Sequence, residues 1–407
     1  MLDVMKGIRI LEVAEHTFVP AASAVLSEWG ADVVKVEHAE RGDAMRGIAQ
    51  SGVISFGTNV HVLLEHSNRG KRSIGIDLSK PEGLEVLHKL AATADVFLTN
   101  KTPRVLKKLK IDVRDIRAHN PKIIYVRGTA FGPRGPDGDK GGYDMTGFWC
   151  RAGSAASCTP QGAEGLVSQP GPGYGDSLGG MTIAGGIAGA LLKRERTGEP
   201  SVVDVSLLST GVWALGQAIG MSLQSGQPMA APPAGGHAAV TNPLVGTYRT
   251  SDERFVALVM LQAFAYWEDF CHHIDRADLV ADPRFASAEK LAENALEAVE
   301  ILREAFAKRT LAEWTERFQT LRGQWAPVQN SLEVAADPQV RAMGYIAAAE
   351  TSDGTPFELG ASPVQFDEQP TPTARSPEFN EHGDEILVEL GMDMDEILEL
   401  RIAGAIA

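Results

Sequence analysis

GIRILEVAEHTFVPAASAVLSEWGADVVKVE, residues Gly7 to Glu37, reads as strand, helix, strand. Gly7 to Val13 (GIRILEV) is a short, mostly apolar run, the pattern of a buried strand. Pro20 to Trp29 follows as a helix, with Pro at its start and Gly30 as its stop. Asp32 to Glu37 (DVVKVE) is a second strand. Two strands joined through a helix run parallel, with a right-handed crossover.

The alternation continues. Arg72 to Leu78 reads as a third strand, Pro81 to Ala94 as a helix, and Asp95 to Thr99 as a strand. Val105 to Leu109 and Val113 to His119 read as short helices, and Lys122 to Arg127 as another strand. The expected fold class is α/β: a Rossmann-like, doubly wound large domain, plus a smaller α+β domain. The first turn, Glu12 to Ala21, holds no G-x-G-x-x-G, which argues against a dinucleotide there.

After Leu208 the pattern changes. Gln217 to Ala239 is rich in Gly, Ala, Pro and Met and reads as a linker with a mobile loop. Thr247 to Arg249 and Phe255 to Met260 flank a turn and read as a hairpin. Phe264 to His273, Ser287 to Phe306 and Leu311 to Arg317 read as helices, and Gly383 to Leu390 as a closing one. The expected organisation is a large domain over 1–212, a linker and glycine loop over 213–240, a small domain over 241–335, and a return to the large domain over 336–407.

The 407 residues are 44% hydrophobic and carry a net charge of −15, which disfavours nucleic acid and anionic membranes as partners. The three cysteines, Cys150, Cys158 and Cys271, form no C-x-x-C pair and fit a reducing compartment, with no metal site expected. The first residues do not read as a signal peptide, and no apolar run reaches the roughly 20 residues of a membrane span. The expectation is a cytoplasmic enzyme.

Asp176 is the first candidate for chemistry. It sits in Gly173-Tyr174-Gly175-Asp176-Ser177-Leu178-Gly179-Gly180, where a glycine-rich loop enters a helix. One reading is an N-cap, with the carboxylate accepting from free N–H groups of the first turn. The other is a nucleophile: the helix N-terminus favours the anion, and flanking glycines admit a large ligand.

At this point the sequence resembles the family III CoA-transferases, the group of formyl-CoA:oxalate CoA-transferase, carnitine CoA-transferase and the α-methylacyl-CoA racemases. The resemblance is carried by Gly7 to Glu12, Gly30 to Glu37, the Gly42-Asp43 to Arg46 turn, Asn68 to Ile74, Ala94 to Asn100, Gly175-Asp176, Tyr248 to Arg254 and Asp282 to Phe285. It spans nearly the whole chain. It implies an interlocked homodimer, an acyl-CoA donor with a carboxylic acid acceptor, coenzyme A as substrate and carrier, no tightly bound cofactor, and Asp176 as catalytic aspartate. The carboxylate would form a mixed anhydride and then an aspartyl-CoA thioester, splitting one difficult exchange into easier steps.

The matched segments also imply the coenzyme A contacts. Thr17 and Phe18 follow the first strand, and His38 stands where relatives often have an Arg beside the adenine. Lys71 and Arg72 are phosphate candidates, with a solvated turn as the alternative. Ile76, Asp77, Leu78 and Ser79, and Asn100, Lys101 and Thr102, lie at strand ends, where open α/β sheets bind ligands. Asn100-Lys101-Thr102-Pro103 lacks the aromatic of the common wording. Lys108, with Arg104 as alternative, matches a basic position for phosphates. Gly235, Gly236 and His237 resemble the glycine loop over the acyl intermediates, or form a plain linker. Tyr143-Asp144 stands where the racemases have His-Asp. A neutral Tyr is a poor base for an α-proton, so transfer is favoured over racemisation. Tyr143 packs near the thioester or is a buried ring with a bonded hydroxyl. A silent subunit of a heteromeric transferase is the third reading, and Asp176 argues against it.

Overall fold

The computed structural model describes residues 2–48, 60–229, 231 and 240–407. Two compact units emerge: Met1–Thr159 with Glu164–Ala231 and Pro338–Ala407, and Pro160–Ala163 with Pro232–Asp337.

In the first unit the elements run β1 (Arg9–Val13), α1 (Phe18–Glu28), β2 (Asp32–Glu37), α2 (Val62–Asn68), β3 (Arg72–Gly75), α3 (Pro81–Thr93), β4 (Val96–Thr99), α4 (Pro103–Leu109), α5 (Val113–His119), β5 (Ile124–Thr129), α6 (Ser154–Cys158), α7 (Tyr174–Thr197), β6 (Val202–Ser206), α8 (Leu207–Ala214) and α9 (Gly216–Ser225). The six strands form one parallel sheet in the order β3-β2-β1-β4-β5-β6. The order reverses between β1 and β4, the point where doubly wound sheets open a crevice at their carboxyl ends.

Alternating strand residues feed two cores, as a sheet covered on both faces requires. Ile10, Val33, Leu98 and Val126 pack with α1 and α7. Leu11, Val34, Ile74, Phe97 and Tyr125 pack under α3 and α5, with Ile386, Leu387 and Ile397 from the end of the chain.

The second unit holds β7 (Val245–Arg249), β8 (Phe255–Val259), α10 (Ala263–His273), α11 (Ala288–Glu293), α12 (Ala295–Phe306), α13 (Leu311–Arg317), β9 (Trp325–Pro327) and α14 (Ser331–Ala336). Its sheet is antiparallel in the order β7-β8-β9. Tyr248, Trp267, Phe270, Phe306, Trp314 and Phe318 form its core. The chain then adds α15 (Pro338–Ala342), the hairpin β10 (Ile346–Glu350) and β11 (Pro356–Gly360), α16 (Gly383–Glu389) and α17 (Met394–Ile402) to the first unit.

Three expectations need correction. The stretch read as a linker begins with a helix, α9, none of whose residues is buried in this chain. The long helix from Ser287 is two helices. The two meet at Asn294, at φ −104° and ψ 21°, whose side chain donates to the carbonyls of Arg284 (3.0 Å) and Lys290 (2.9 Å). Strand β6, absent from the sequence reading, pairs in parallel with β5. It alternates Val202-Val203-Asp204-Val205 over only a few residues beside a Gly-Glu-Pro turn.

Between β1, β2 and α1 lies a buried ion cluster. Lys35 Nζ reaches Glu12 Oε1 at 2.8 Å and Asp43 Oδ2 at 2.7 Å. Lys71 Nζ donates to Glu12 Oε2 (2.8 Å), Pro20 O (2.9 Å) and Asn68 Oδ1 (3.1 Å). Burial pushes the Lys71 ammonium down to about 7, although Glu12 pulls the other way.

Glu12→Gln leaves the buried Lys71 without a carboxylate and Lys35 with Asp43 alone, so it is expected to cost about 3–5 kcal/mol of stability. Replacing Glu12, Lys35 and Lys71 together by apolar residues of similar volume, with Asp43→Asn so that no buried carboxylate loses its cation, is expected to cost much less. Urea unfolding of both variants checks this.

Candidate active site

Glycine spacing and a distant carboxylate set the start of α7. Gly173, at φ 70°, is the cap residue and offers no side chain to cap with. Asp144 supplies the cap from across the fold, accepting from Gly175 N–H at 3.1 and 3.2 Å. A π-helical turn, Met145–Cys150, follows it. Asp176 stands in the first turn of α7 and is not the cap. Gly175 does not clear space for a ligand, as the sequence reading had it. A Cβ there would sit 2.2 Å from the Phe148 ring and 2.5 Å from Asp144 Oδ1, so protein fills the gap.

With the first amides taken by Asp144, the Asp176 carboxyl is left half-buried beside a second acid. Burial, and then the charge of Asp144, raise its pKa to about 7. Burial likewise raises Asp144, against the pull of its amide bonds. Two neighbouring carboxyls of which one is amide-bonded is an arrangement that separates their titrations.

Asp176 lines a small cavity of about 90 Å³ together with Phe18, Asn100, Thr102, Tyr143, Glu15, His16 and Lys140. A larger cavity of about 300 Å³ lies at the ends of β1, β2 and β3, where apolar Val36, Ile76, Leu78 and Leu109 meet His38, Arg41, Asp77, Ser79, Lys101 and Lys108. Glu15 lines both. Asn100 clamps it: Nδ2 donates to Glu15 O at 2.6 Å, and Glu15 N–H donates to Asn100 Oδ1 at 3.3 Å. Glu15 also pairs with Lys101.

The expected residues thus divide. His38, Ile76, Asp77, Leu78, Ser79, Lys101 and Lys108 share the large cavity; Phe18, Asn100, Thr102, Tyr143 and Asp176 share the small one. Lys71 does not reach either, because its ammonium turns inward to Glu12. Arg72 begins β3, at the opposite end of the strand from Ile76, and is held by Asp32 at 2.7 Å and Glu389 at 2.7 Å. Both are corrections to the phosphate reading. Arg104 is exposed on α4, with its amide bonded to Asp139. Thr17 is buried and lines neither cavity. Tyr143 is 67% exposed, so it is no buried ring; its ring edge meets His16 at 5.6 Å. Gly235, Gly236 and His237 lie outside the described residues. Sequence reading missed Glu15, His16, Arg41 and Lys140. Only His16 carries a backbone mark, φ 68°, and that is invisible in sequence.

The model of CoA-transferase family III matches residues 5–383. The chain belongs to that family. It is 28% identical to a (R)-2-hydroxy-4-methylpentanoate CoA-transferase of Clostridioides difficile, covering 97% of both chains. It is 29% identical to a cinnamoyl-CoA:phenyllactate CoA-transferase of Clostridium sporogenes, over 98% of this chain and 96% of that one. The crystal structure of a CaiB/BaiF family protein from Brucella suis matches with a TM-score of 0.77 at 25% identity, over 95% of this chain and 99% of that one. This family III member is an enzyme of the CoA-transferase type. No helix among its described residues is long and apolar enough to cross a membrane.

Because Asp176 titrates above its ordinary value of 3.8, unfolding releases its proton between about pH 4 and 7. Stability is therefore lost as pH rises through that window. Asp176→Asn is expected to stabilise the fold at pH 8, on the order of 1–3 kcal/mol, and to do little at pH 4. Asp144→Asn keeps a capping oxygen and removes the charge, so the Asp176 titration midpoint, followed by NMR, is expected to move below 7.

Proposed function

We propose that this enzyme moves coenzyme A from an acyl-CoA thioester to a free carboxylic acid, with Asp176 as nucleophile. The observation that carries the reading is a carboxyl with a pKa near 7 in a small cavity beside a larger, mostly apolar slot whose edge carries Arg41, Lys101 and Lys108 as well as Glu15, Glu37 and Asp77. A carboxylate of raised pKa is more nucleophilic than an ordinary aspartate, and about half of it is ionised at neutral pH.

In the first step an Asp176 oxygen attacks the donor carbonyl and the C–S bond breaks, giving a mixed anhydride and CoA thiolate. The thiolate attacks the aspartyl carbonyl, forming the aspartyl-CoA thioester and releasing the donor acid. The acceptor carboxylate then attacks that thioester, and the expelled thiolate takes its acyl group. Asp176 is returned as carboxylate, so no proton or electron is consumed.

In this reading the large cavity takes the nucleotide and pantetheine of coenzyme A. Lys108 is the phosphate partner, Arg41 offers further positive charge, and His38 and Lys101 line the same cavity. Phe18, Asn100, Thr102 and Tyr143 surround the reacting carbonyl. The interlocked homodimer and a covering role for Gly235, Gly236 and His237 belong to the same proposal, resting on the resemblance. The racemase reading has less support, since Tyr143 precedes Asp144 in place of a histidine. The first acceptors to try are 2-hydroxy acids, the class in the names of two relatives, with dicarboxylates for comparison.

Asp176→Ala is expected to abolish transfer while CoA still binds, and hydroxylamine added during turnover to leave a hydroxamate on Asp176 of the parent enzyme. Mass spectrometry of the peptide reads the adduct. Turnover of the variant near the parent rate would sink the mechanism.

Lys108→Ala is expected to weaken CoA by about 1.5–3 kcal/mol, roughly 10- to 100-fold, and dephospho-CoA less if the 3′-phosphate is its partner. Arg72→Ala is expected to leave CoA affinity unchanged and to lower stability by no more than about 1 kcal/mol, as part-exposed ion pairs do. Calorimetric titration and thermal melts separate the two.

A further inference from the structure

His66 on α2 and Ser177 on α7 are 111 residues apart in sequence, and His66 Nε2 lies 3.1 Å from Ser177 Oγ. The Ser177 hydroxyl already donates its proton to Gly173 O at 2.9 Å. A hydroxyl has one proton, so the ring must be the donor and Nε2 carries the hydrogen. That leaves Nδ1 as the acceptor, and it faces Arg69 Nη1 at 3.4 Å. Arg69 is held in turn by its bond to His66 O (2.6 Å) and by Glu28 Oε1 (2.5 Å). Burial, helped by the Arg69 charge, drives the His66 pKa down to about 4, so the ring stays neutral and its tautomer fixed near neutral pH.

The contact matters because of where it lands. Ser177 follows Asp176 directly, in a first turn opened by Gly173 and Gly175. Glycine resists helix by about 1 kcal/mol per residue, so this turn is weakly specified by its own backbone. Asp144 holds it from one side through Gly175. A bond to Ser177 from another element supplies a second point of attachment.

We propose that His66 is a positioning residue for Asp176: its imidazole, oriented by Arg69 and Glu28, donates to Ser177 and fixes the first turn of α7. The proposal rests on Asp176 being the nucleophile. His66 touches no reacting atom; it acts through Ser177. Its loss should therefore reduce the rate of the chemical step and spare binding of acyl-CoA.

The test measures kcat, KM for acyl-CoA and melting temperature for His66→Leu, Ser177→Ala, their double variant, His66→Gln and His66→Asn. His66→Leu and Ser177→Ala are each expected to lower kcat by about 10- to 100-fold, with KM within roughly 2-fold of the parent. The double variant is expected to be no slower than Ser177→Ala, which already removes the His66 contact along with the bond to Gly173 O. Gln places an amide nitrogen near the Nε2 position and is expected to recover most of kcat; Asn is one bond too short and is not. Parent-like kcat in His66→Leu or Ser177→Ala overturns the proposal, as does a double variant in which the two losses multiply. If His66→Leu does not fold, Ser177→Ala and the Gln and Asn pair still decide it. Asp176→Ala, run alongside, separates the two levels: if it retains activity the nucleophile reading fails, whereas an inactive Asp176→Ala beside an unimpaired Ser177→Ala removes only His66.

Discussion

One carboxylate, Glu12, holds the first unit in register. It faces Lys35 across the parallel β1–β2 ladder and also receives Lys71 from the turn before β3. Three fully buried charges in one place are costly unless each is paired, and the geometry meets that condition. Lys35 passes the constraint on to Asp43, whose Oδ1 accepts from His16 N–H at 3.1 Å and Met45 N–H at 2.8 Å. Glu37 continues it to Asp43 N–H, Arg46 and Ser73. The loop after β1 is thereby fixed at its root, with His16 held in a left-handed conformation that a histidine rarely adopts unaided. That loop carries Glu15 and His16, which line the cavities.

The site is built against stability at one point. A helix N-terminus would normally stabilise a nearby carboxylate and lower its pKa. Here Asp144 takes the amide contact, and Asp176 is left with burial and a like charge. Such an arrangement trades folding energy for a carboxyl that titrates near neutral pH. The surrounding packing absorbs the cost. Gly179 brings α7 against Phe18 so closely that a Cβ would lie 2.2 Å from its ring. The ridge of small residues in α7 is thus a packing requirement that also sets how near Asp176 stands to β1.

Much of this was legible in the chain. Asp32–Glu37, Val113–His119 and Leu311–Arg317 have the bounds that periodicity gives, and the hairpin over Val245–Val259 follows its turn residues. Strand ends also pointed to residues that line the two cavities, because a parallel sheet presents its carboxyl ends to ligands whatever its side chains are. Ile76 to Ser79, Asn100 to Thr102 and Lys108 follow from that rule and the family wording. The misassigned residues share a different cause. Lys71 and Arg72 sit side by side in a basic motif, and nothing local reveals that one turns into the core and the other pairs with Asp32 and Glu389.

The sequence by itself determined the α/β alternation, the parallel sheet and the aspartate at a glycine-rich helix start. These depend on period, turn chemistry and local propensity, which act over a few residues. Only the tertiary structure decided that Asp144 caps α7, that Glu12 is shared by two lysines, and that His66 meets Ser177. Those contacts join residues 31, 23, 59 and 111 positions apart. Their energies come from burial and exact distance, and both exist only once the sheet has brought the segments together.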